Sequence, residues 1–207
     1  MTKLAKISEL VGSQKVVPVV VIENAEQAVG LAQALLDGGM NVIEITLRNA
    51  YALEAIKLIK KQFPQMIIMA GTVCTAEQLR AAVDAGADSI VSPGVTNSLL
   101  DTARELNIPY LPGVATASEI LLAVEYGLTE CKLFPATVVG GLSALKAFNG
   151  PYGDIRFCPT GGVTPDNFND FLALPNVMCV GGSWLAPTKM VREGDWQGIT
   201  QLAKAAG

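Results

Sequence analysis

Short apolar runs alternate with helical patterns along the whole chain, and this alternation is the strongest constraint on its fold. Eight runs have the length and the residue content of β-strands. They are Val16–Val21, Val42–Leu47, Met66–Ala70, Ser89–Val91, Tyr110–Leu111, Cys131–Phe134, Ile155–Cys158 and Val177–Val180. Strands joined by helices form parallel sheets with right-handed crossovers. Eight such units predict an α/β fold closed into a (βα)₈ TIM barrel, because an open doubly wound sheet usually has about five or six strands.

Segments with helical spacing separate these strands and support the same architecture. They are Ala25–Leu36, Ala50–Phe63, Ala76–Ala85, Ser98–Leu106, Ser118–Tyr126, Ser143–Phe148 and Asp166–Ala173. The segment Leu4–Val11 precedes the first strand, and we expect it to form an extra N-terminal helix that closes the bottom of the barrel. The chain contains no linker or low-complexity tract, so residues 1–207 are predicted to form one barrel domain.

The overall composition excludes several classes of protein. Of the 207 residues, 50% are hydrophobic and 16% are charged, which indicates a large core rather than disorder. The formal net charge is −4, so no basic footprint for nucleic acid or an anionic membrane is expected. The sequence shows neither a hydrophobic signal segment at its start nor an apolar stretch as long as a membrane span. We therefore expect a cytoplasmic protein.

Two residue types narrow the chemistry further. The chain contains no histidine, so Ser-His-Asp triads, histidine general bases and most zinc-dependent mechanisms are not available to it. Acid–base chemistry falls instead to Glu, Asp, Lys, Tyr or Cys. The four cysteines, Cys74, Cys131, Cys158 and Cys179, are widely spaced and are interpreted as small apolar residues in a reducing compartment.

Lys132 is the most informative single residue. It lies within Glu130–Pro135, an apolar run that is predicted to be a buried strand. Burial disfavours the ammonium form of lysine and lowers its pKa, which frees the neutral amine to attack a carbonyl group and form a Schiff base. The ordinary alternative is a lysine at a strand end whose ammonium group reaches water.

The second predicted strand carries a carboxylate and a guanidinium group. Side chains alternate between the two faces of a strand, so Glu44, Thr46 and Arg48 share one face. The same rule places Lys132 and Phe134 on one face. If both polar sets point inward, the upper end of the barrel holds a carboxylate, a guanidinium group and an amine. The alternative is that Glu44 only neutralises Lys132 or Arg48 as a buried ion pair.

Two glycine-rich segments follow the seventh and eighth strands. They are Pro159–Val163 and Val180–Trp184. Glycine lets backbone N–H groups approach an oxyanion, and the loops after these two strands are the usual phosphate site of the fold. Each glycine pair alone is also compatible with a tight turn. Thr72 and Pro93 lie at the ends of the third and fourth strands, where they form either part of a site or an ordinary strand-to-loop turn.

Six motifs together resemble the class I 2-keto-3-deoxy-6-phosphogluconate (KDPG) and 4-hydroxy-2-oxoglutarate (KHG) aldolases. They are Glu44–Arg48, Gly71–Val73, Ser92–Gly94, Lys132–Ala136, Thr160–Gly162 and Gly181–Trp184. The resemblance covers essentially the whole chain, and the motifs follow the order of the family. Asn49 stands where threonine is expected after the arginine. This departure affects no catalytic role that we can name.

The resemblance implies a homotrimer that cleaves KDPG to pyruvate and D-glyceraldehyde 3-phosphate, and that also acts on KHG. It implies that Lys132 is the Schiff-base lysine and Glu44 the proton shuttle. The implied substrate-binding residues are Arg48, Thr72, Pro93, Phe134, Thr160, Gly161, Gly162, Gly181, Gly182 and Ser183. Arg48 and Thr72 would hold the pyruvoyl carboxylate, and the glycine-rich segments the distal phosphate. The expected partner is thus a small phosphorylated sugar acid, and this chemistry needs no metal or organic cofactor.

Three other functions remain open at the level of the sequence. The substrate could be the galactonate epimer of the phosphorylated sugar acid. The protein could instead be a phosphate-binding barrel isomerase in which Glu44 acts as a base without covalent chemistry. A non-catalytic carboxylate or phosphate sensor is a third alternative, although no effector or DNA-binding module is appended.

Overall fold

A ring of parallel strands surrounded by helices forms the body of the protein in the computed structural model, which describes residues 4–207. The strands in this part of the chain are β1 (Val16–Val20), β2 (Val42–Thr46), β3 (Ile67–Gly71), β4 (Ser89–Val91), β5 (Tyr110–Leu111), β6 (Gly113–Val114), β7 (Glu130–Leu133), β8 (Arg156–Pro159) and β9 (Val180–Gly182). The helices are α1 (Ile7–Val11), α2 (Gln27–Asp37), α3 (Ala52–Gln62), α4 (Ala76–Asp84), α5 (Asn97–Glu105), α6 (Ala117–Glu125), α7 (Gly141–Asn149), α8 (Phe168–Leu172), α9 (Thr188–Glu193) and α10 (Trp196–Ala206).

The strands form two parallel sheets that join at both edges. One has the order β5-β4-β3-β2-β1-β9 and the other the order β6-β7-β8. At one junction the chain itself passes through Pro112, since β5 pairs with β4 and β6 pairs with β7. Proline cannot donate a ladder hydrogen bond, which accounts for the interruption between β5, which matches the fifth predicted strand, and β6, which was not predicted. At the other junction, isolated bridges connect Phe157 with Val177 and Thr160 with Gly181. The predicted (βα)₈ barrel is confirmed, with β5 and β6 together as its fifth strand.

The predicted extra N-terminal helix is present as α1 and covers the amino-terminal end of the barrel. The backbone N–H and the hydroxyl group of Ser8 donate to the carboxylate of Glu130, at the start of β7. The Gln14 amide accepts from the backbone N–H of Val42 at the start of β2, at 3.1 Å. Ile7 and Val11 pack on the apolar side chains inside the barrel. The loops that follow the strands lie at the opposite, carboxyl-terminal end of the ring.

Alternation along each strand divides the core in two. Inside the ring, the buried apolar residues include Val17, Val42, Met69, Val91, Leu111, Cys158 and Cys179. Residues of opposite parity, such as Ile43, Ile45 and Ile68, pack outward against the helices. Because both faces are covered, the strands are apolar on both sides. None of the helices within residues 4–207 is long and apolar enough to cross a lipid bilayer.

The carboxyl-terminal part of the chain differs most from the sequence prediction. The eighth predicted strand, Val177–Val180, is displaced, because the ladder with β1 runs over Val180–Gly182 instead. Val177 forms only an isolated bridge with Phe157. In addition, α9 and α10 follow the last strand, where no helical segment was singled out.

Candidate active site

A buried ion pair lies at the centre of the barrel. The Lys132 ammonium group on β7 lies 2.9 Å from Glu44 Oε1 and 3.1 Å from Glu44 Oε2 on β2. Only 5% and 4% of the two side chains are exposed. The inward orientation predicted from strand parity therefore brings the amine and the carboxylate into direct contact. The Glu44 carboxylate is thus within hydrogen-bonding distance of the proton that the ammonium group must lose to become a neutral amine.

Two neighbours define the immediate surroundings of this pair. The Lys132 ammonium nitrogen lies 5.4 Å from the centre of the Phe134 ring, a distance at which the ring face attracts a cation. Gly71 on β3 lies against the Glu44 carboxylate, and a Cβ atom at position 71 would overlap the carboxylate oxygen. In the sequence, Gly71 was singled out only as part of the Gly71–Val73 motif and not as a site residue. Its signal is a glycine at the end of a buried strand, where close approach of another group is the usual reason.

Arg48 and Thr72 meet at the rim of the barrel. The Arg48 side chain donates from Nε to the Thr72 hydroxyl group at 3.3 Å. Thr72 has a φ angle of 58°, in the left-handed region that β-branched residues rarely adopt. Such backbone conformations are concentrated at functional sites. Thr46, on the same strand face as Glu44, donates instead to the Val20 carbonyl group at 2.8 Å and so joins β2 to β1.

Asn49, the departure from the family pattern, has a local structural role. Its side-chain amide donates to the Ile22 carbonyl group at 2.8 Å, and its oxygen accepts from the Tyr51 backbone N–H at 3.0 Å. The residue joins the loops after β1 and β2, next to Arg48.

Pro93 lies in a turn that is fixed from two sides. The Ser92 hydroxyl group donates to the Gly94 carbonyl group and lies 2.6 Å from the Tyr110 hydroxyl group. Burial raises the pKa of the Tyr110 phenol, although the hydrogen bond with Ser92 lowers it, so the phenol stays neutral. A Cβ atom at Gly113 would overlap the Pro93 backbone. Because Gly113 is also the ladder partner of Lys132, Pro93 is held one strand away from the amine.

A cavity of about 220 Å³ opens beside the ion pair at the carboxyl-terminal ends of the strands. Its lining includes seven residues singled out in the sequence: Arg48, Phe134, Thr160, Gly161, Gly162, Gly181 and Ser183. The other lining residues are Val163, which ends the glycine-rich segment Pro159–Val163, and four residues that were missed: Val19, Val21, Ala186 and Thr188. Val19 and Val21 resemble ordinary core valines in the sequence, and the segment from Ala186 to Thr188 carries no motif.

Five candidate residues do not line this cavity. Glu44 and Lys132 are buried within the barrel, and Thr72 and Pro93 follow the neighbouring strands β3 and β4. Gly182 has the opposite strand parity to Gly181, and a Cβ atom there would overlap the Trp184 ring. The structure therefore places Gly182 in contact with an aromatic side chain rather than at the cavity.

The loop after β8 depends on glycine. Gly161 and Gly162 have φ angles of 95° and 78°, which side chains with a Cβ atom rarely adopt. The Thr137 hydroxyl group donates to the Gly161 carbonyl group at 3.3 Å, and a Cβ atom at Gly162 would overlap Thr137. Within residues 4–207, the backbone N–H group of Gly162 donates to no protein acceptor. It remains available to an anion in the cavity.

A parallel barrel with an amine, a carboxylate and a polar cavity at the carboxyl-terminal ends of its strands has the layout of a TIM-barrel enzyme. The sequence model of the KDPG and KHG aldolases matches residues 7–202. The chain belongs to this family.

Similar proteins cover nearly the whole chain. The KHG/KDPG aldolase of Escherichia coli (strain K12) is 49% identical over 92% of this chain and 90% of its own length. The 2-dehydro-3-deoxy-phosphogluconate aldolase of Dickeya dadantii (strain 3937) is 51% identical over 92% of this chain and 90% of its own length.

Solved structures show the same fold. The KDPG aldolase of Legionella pneumophila, with pyruvate captured as a covalent carbinolamine intermediate, superimposes with a TM-score of 0.96 at 41% identity, covering 98% of both chains. The Zymomonas mobilis ZM4 enzyme with 3-phosphoglycerate has a TM-score of 0.91 at 44% identity, covering 97% of this chain and 94% of that one.

Proposed function

We propose that this protein is a lyase that reversibly cleaves KDPG to pyruvate and D-glyceraldehyde 3-phosphate through a Schiff base on Lys132. The observation that carries the proposal is the Lys132–Glu44 pair, an amine 2.9 Å from a carboxylate inside an apolar barrel and beside an open cavity. The carbinolamine in the Legionella pneumophila relative is the adduct of an amine and a ketone, which is the first intermediate of this chemistry. Family membership supports the same reaction.

Lys132 acts as the nucleophile, and Glu44 acts as the acid–base group. Lys132 transfers a proton to Glu44, and its neutral amine adds to the 2-keto carbon. Glu44 returns this proton to the hydroxyl group of the carbinolamine, which leaves as water and gives an iminium ion. Glu44 then removes the proton of the carbon 4 hydroxyl group, the bond between carbons 3 and 4 breaks, and the iminium ion accepts the electron pair as an enamine. Return of a proton to carbon 3 and hydrolysis of the imine release pyruvate.

The rim supplies the groups that orient the pyruvoyl end. Arg48 binds the carboxylate by a charge-assisted hydrogen bond, and the Thr72 hydroxyl group donates a second one. Their contact at 3.3 Å supports joint action on one carboxylate. Phe134 and Pro93 form apolar walls on either side of the reacting carbon atoms.

The distal phosphate binds in the cavity between β8 and β9. Its ligands are the backbone N–H groups after Thr160, at Gly161 and Gly162, and the Ser183 hydroxyl group, with Gly181 leaving space for close approach. The cavity lining supports this assignment. Gly182 is not one of these phosphate ligands, and its role is to pack against the Trp184 ring. The 3-phosphoglycerate in the Zymomonas mobilis relative is a ligand of the same phosphorylated class.

The shorter substrate KHG follows the same steps to pyruvate and glyoxylate, since it shares the 2-keto and 4-hydroxyl groups. The naming of the Escherichia coli relative for both substrates supports this second activity. We further propose that residues 1–207 act as one aldolase domain, in a cytoplasmic homotrimer. The family supports that arrangement, and sedimentation equilibrium of the purified protein measures the number of copies directly.

Borohydride reduction tests the covalent step. With pyruvate present, borohydride should reduce the imine and leave a stable adduct on Lys132, which peptide mass spectrometry locates. Lys132→Ala should abolish both the adduct and KDPG cleavage, and Lys132→Arg should fail as well because a guanidinium group stays protonated.

Two results would contradict the proposal. One is an adduct on a different lysine, and the other is a folded Lys132→Ala variant that still releases pyruvate from KDPG. Substitution of Lys60, which pairs with Asp88 outside the site, is the matched control and should leave the adduct on Lys132 unchanged.

A further inference from the structure

Two cysteines inside the barrel have no part in the proposed reaction. Cys158 on β8 and Cys179, just before β9, are both free and buried in the interior apolar cluster. Only 4% of Cys158 and 1% of Cys179 are exposed. Cys158 is also the ladder partner of Lys132, so one of the two thiols lies on the strand next to the amine.

The two cysteines lie on opposite sides of the junction between β8 and β9, which has no continuous ladder. The neighbouring strands within each sheet pair through continuous ladders, such as those of β2 with β3 and β7 with β8. Strands β8 and β9 are joined only by the isolated bridges at Phe157–Val177 and Thr160–Gly181. Cys158 and Cys179 lie between these two bridges, where few backbone hydrogen bonds oppose a small movement of one strand toward the other.

The surroundings make the two thiols unequal. The neighbouring Cys179 thiol lowers the pKa of Cys158, burial opposes this effect, and the Lys132 ammonium group lowers the pKa while the Glu44 carboxylate raises it. The same contact with Cys158, together with burial, raises the pKa of Cys179. Cys158 is thus the thiol that reacts first, because the thiolate is the nucleophile, and Cys179 is placed to react second.

Thr160 separates Cys158 from the cavity. Its sulfur atom lies 3.9 Å from the hydroxyl oxygen of Thr160, and Thr160 lines the open cavity. Hydrogen peroxide is nearly as small as water, so it fits a cavity of about 220 Å³.

We propose that Cys158 and Cys179 are a modification site, at which hydrogen peroxide forms a reversible disulfide that inactivates Lys132. In the first step the Cys158 sulfur attacks one peroxide oxygen, the O–O bond breaks, and the other oxygen leaves as water, which gives a sulfenic acid. In the second step the Cys179 sulfur attacks the sulfenic sulfur, the S–O bond breaks, and a second water leaves. The two thiols lose two electrons in total, and the peroxide is reduced to two waters.

The disulfide alters the site through the strand that carries Cys158. A bond to Cys179 pulls the Cys158 side chain toward β9 and away from its position beside Lys132. The same displacement moves Thr160 and Gly161, which line the cavity two and three residues further on. A shift of about 1 Å at reacting groups is enough to reduce turnover strongly.

The test is peroxide treatment of the purified protein, with chemical and kinetic readouts on the same sample. We expect a mass loss of two hydrogen atoms, a cross-linked peptide that joins Cys158 to Cys179, and a fall in pyruvate release by roughly tenfold or more. Dithiothreitol should restore both the mass and the rate. The cross-link is detected without any substrate, so failure of the proposed aldolase activity is distinguishable from failure of this proposal.

Cysteine variants provide matched controls. Cys179→Ala should give no cross-link, and peroxide should oxidise Cys158 beyond the sulfenic acid, so that dithiothreitol no longer restores the rate. Cys74→Ala and Cys131→Ala should behave like the unmodified sequence. The proposal is wrong if peroxide produces no Cys158–Cys179 cross-link, if the cross-link forms without loss of rate, or if reversible inactivation persists in Cys179→Ala.

Discussion

At the scale of single residues, two buried carboxylates inside the same barrel have different partners. Glu44 contacts an amine beside the cavity, whereas Glu130 accepts from the hydroxyl group and the backbone N–H of Ser8 at the closed end. A buried ion pair is often no more stable than apolar side chains of similar volume. The Lys132–Glu44 pair is therefore better explained by proton transfer than by stability.

Glu44→Gln separates a proton-transfer role from a counter-ion role, because it removes the charge and keeps the shape. We expect the variant to fold and KDPG cleavage to slow by roughly 100-fold or more, as when a positioned acid–base group is lost. Exchange of the pyruvate methyl protons with deuterated water, followed by NMR, should slow in parallel. That exchange uses the same proton transfer without carbon–carbon cleavage.

Glu130→Gln is the matched control for the loss of a buried carboxylate. It should leave the exchange rate close to that of the unmodified sequence, since Glu130 lies at the other end of the barrel. Near-normal exchange and cleavage in a folded Glu44→Gln variant would show that Glu44 is only a counter-ion for Lys132.

At the scale of elements, sequence periodicity predicted features that depend on one strand alone, such as which side chains face inward. It missed features that depend on pairing between strands distant in the sequence. The inward face of β2 followed from alternation alone, and so did the contact of Glu44 with the barrel interior. The division of the fifth strand at Pro112 and the displaced bounds of β9 depend on which neighbour each backbone pairs with. Gly71 lies against Glu44 on β2, and Gly113 lies against Pro93 in the turn after β4. Spacing along one strand does not encode such contacts.

The loop after β8 gives a prediction at this scale. Gly162→Ala adds a Cβ atom at a φ angle of 78° and against Thr137, so the loop must move. We expect KM for KDPG to rise by roughly tenfold or more, through loss of hydrogen bonds to a charged phosphate. KM for KHG, which has no phosphate in the cavity, should change much less. Steady-state rates on both substrates measure the difference.

Gly182→Ala is the comparison variant, because its Cβ atom meets the Trp184 ring rather than the cavity. It should lower stability and reduce the rates on both substrates to a similar extent. If Gly162→Ala also affected the two substrates equally, the loop after β8 would not be the phosphate site.

At the scale of the whole molecule, the two ends of the barrel have separate functions. The amino-terminal end is closed by α1 and its hydrogen bonds to Glu130, while the carboxyl-terminal end carries the cavity. This separation is general in TIM barrels, where stability and catalysis concentrate at opposite faces. A change under α1 should thus affect unfolding without affecting turnover.

Ser8→Ala tests this separation. It removes one of the hydrogen bonds to the Glu130 carboxylate, which is only 6% exposed. We expect the free energy of unfolding to fall by about 1–3 kcal/mol, measured by urea denaturation, with kcat for KDPG unchanged. Ser118→Ala, on the exposed side of α6, should change stability by less than about 0.5 kcal/mol. A large loss of kcat in Ser8→Ala would mean that the two ends are coupled.

The ion pair joins the two sheets, since Glu44 belongs to the six-stranded sheet and Lys132 to the three-stranded one. Neither sheet alone contains a reactive amine with its base. An incompletely folded chain exposes Lys132 to water, where an ordinary lysine is protonated and a poor nucleophile toward ketones. Capture of pyruvate by borohydride therefore reports closure of the entire ring, and its return during refolding marks the moment at which the two sheets meet.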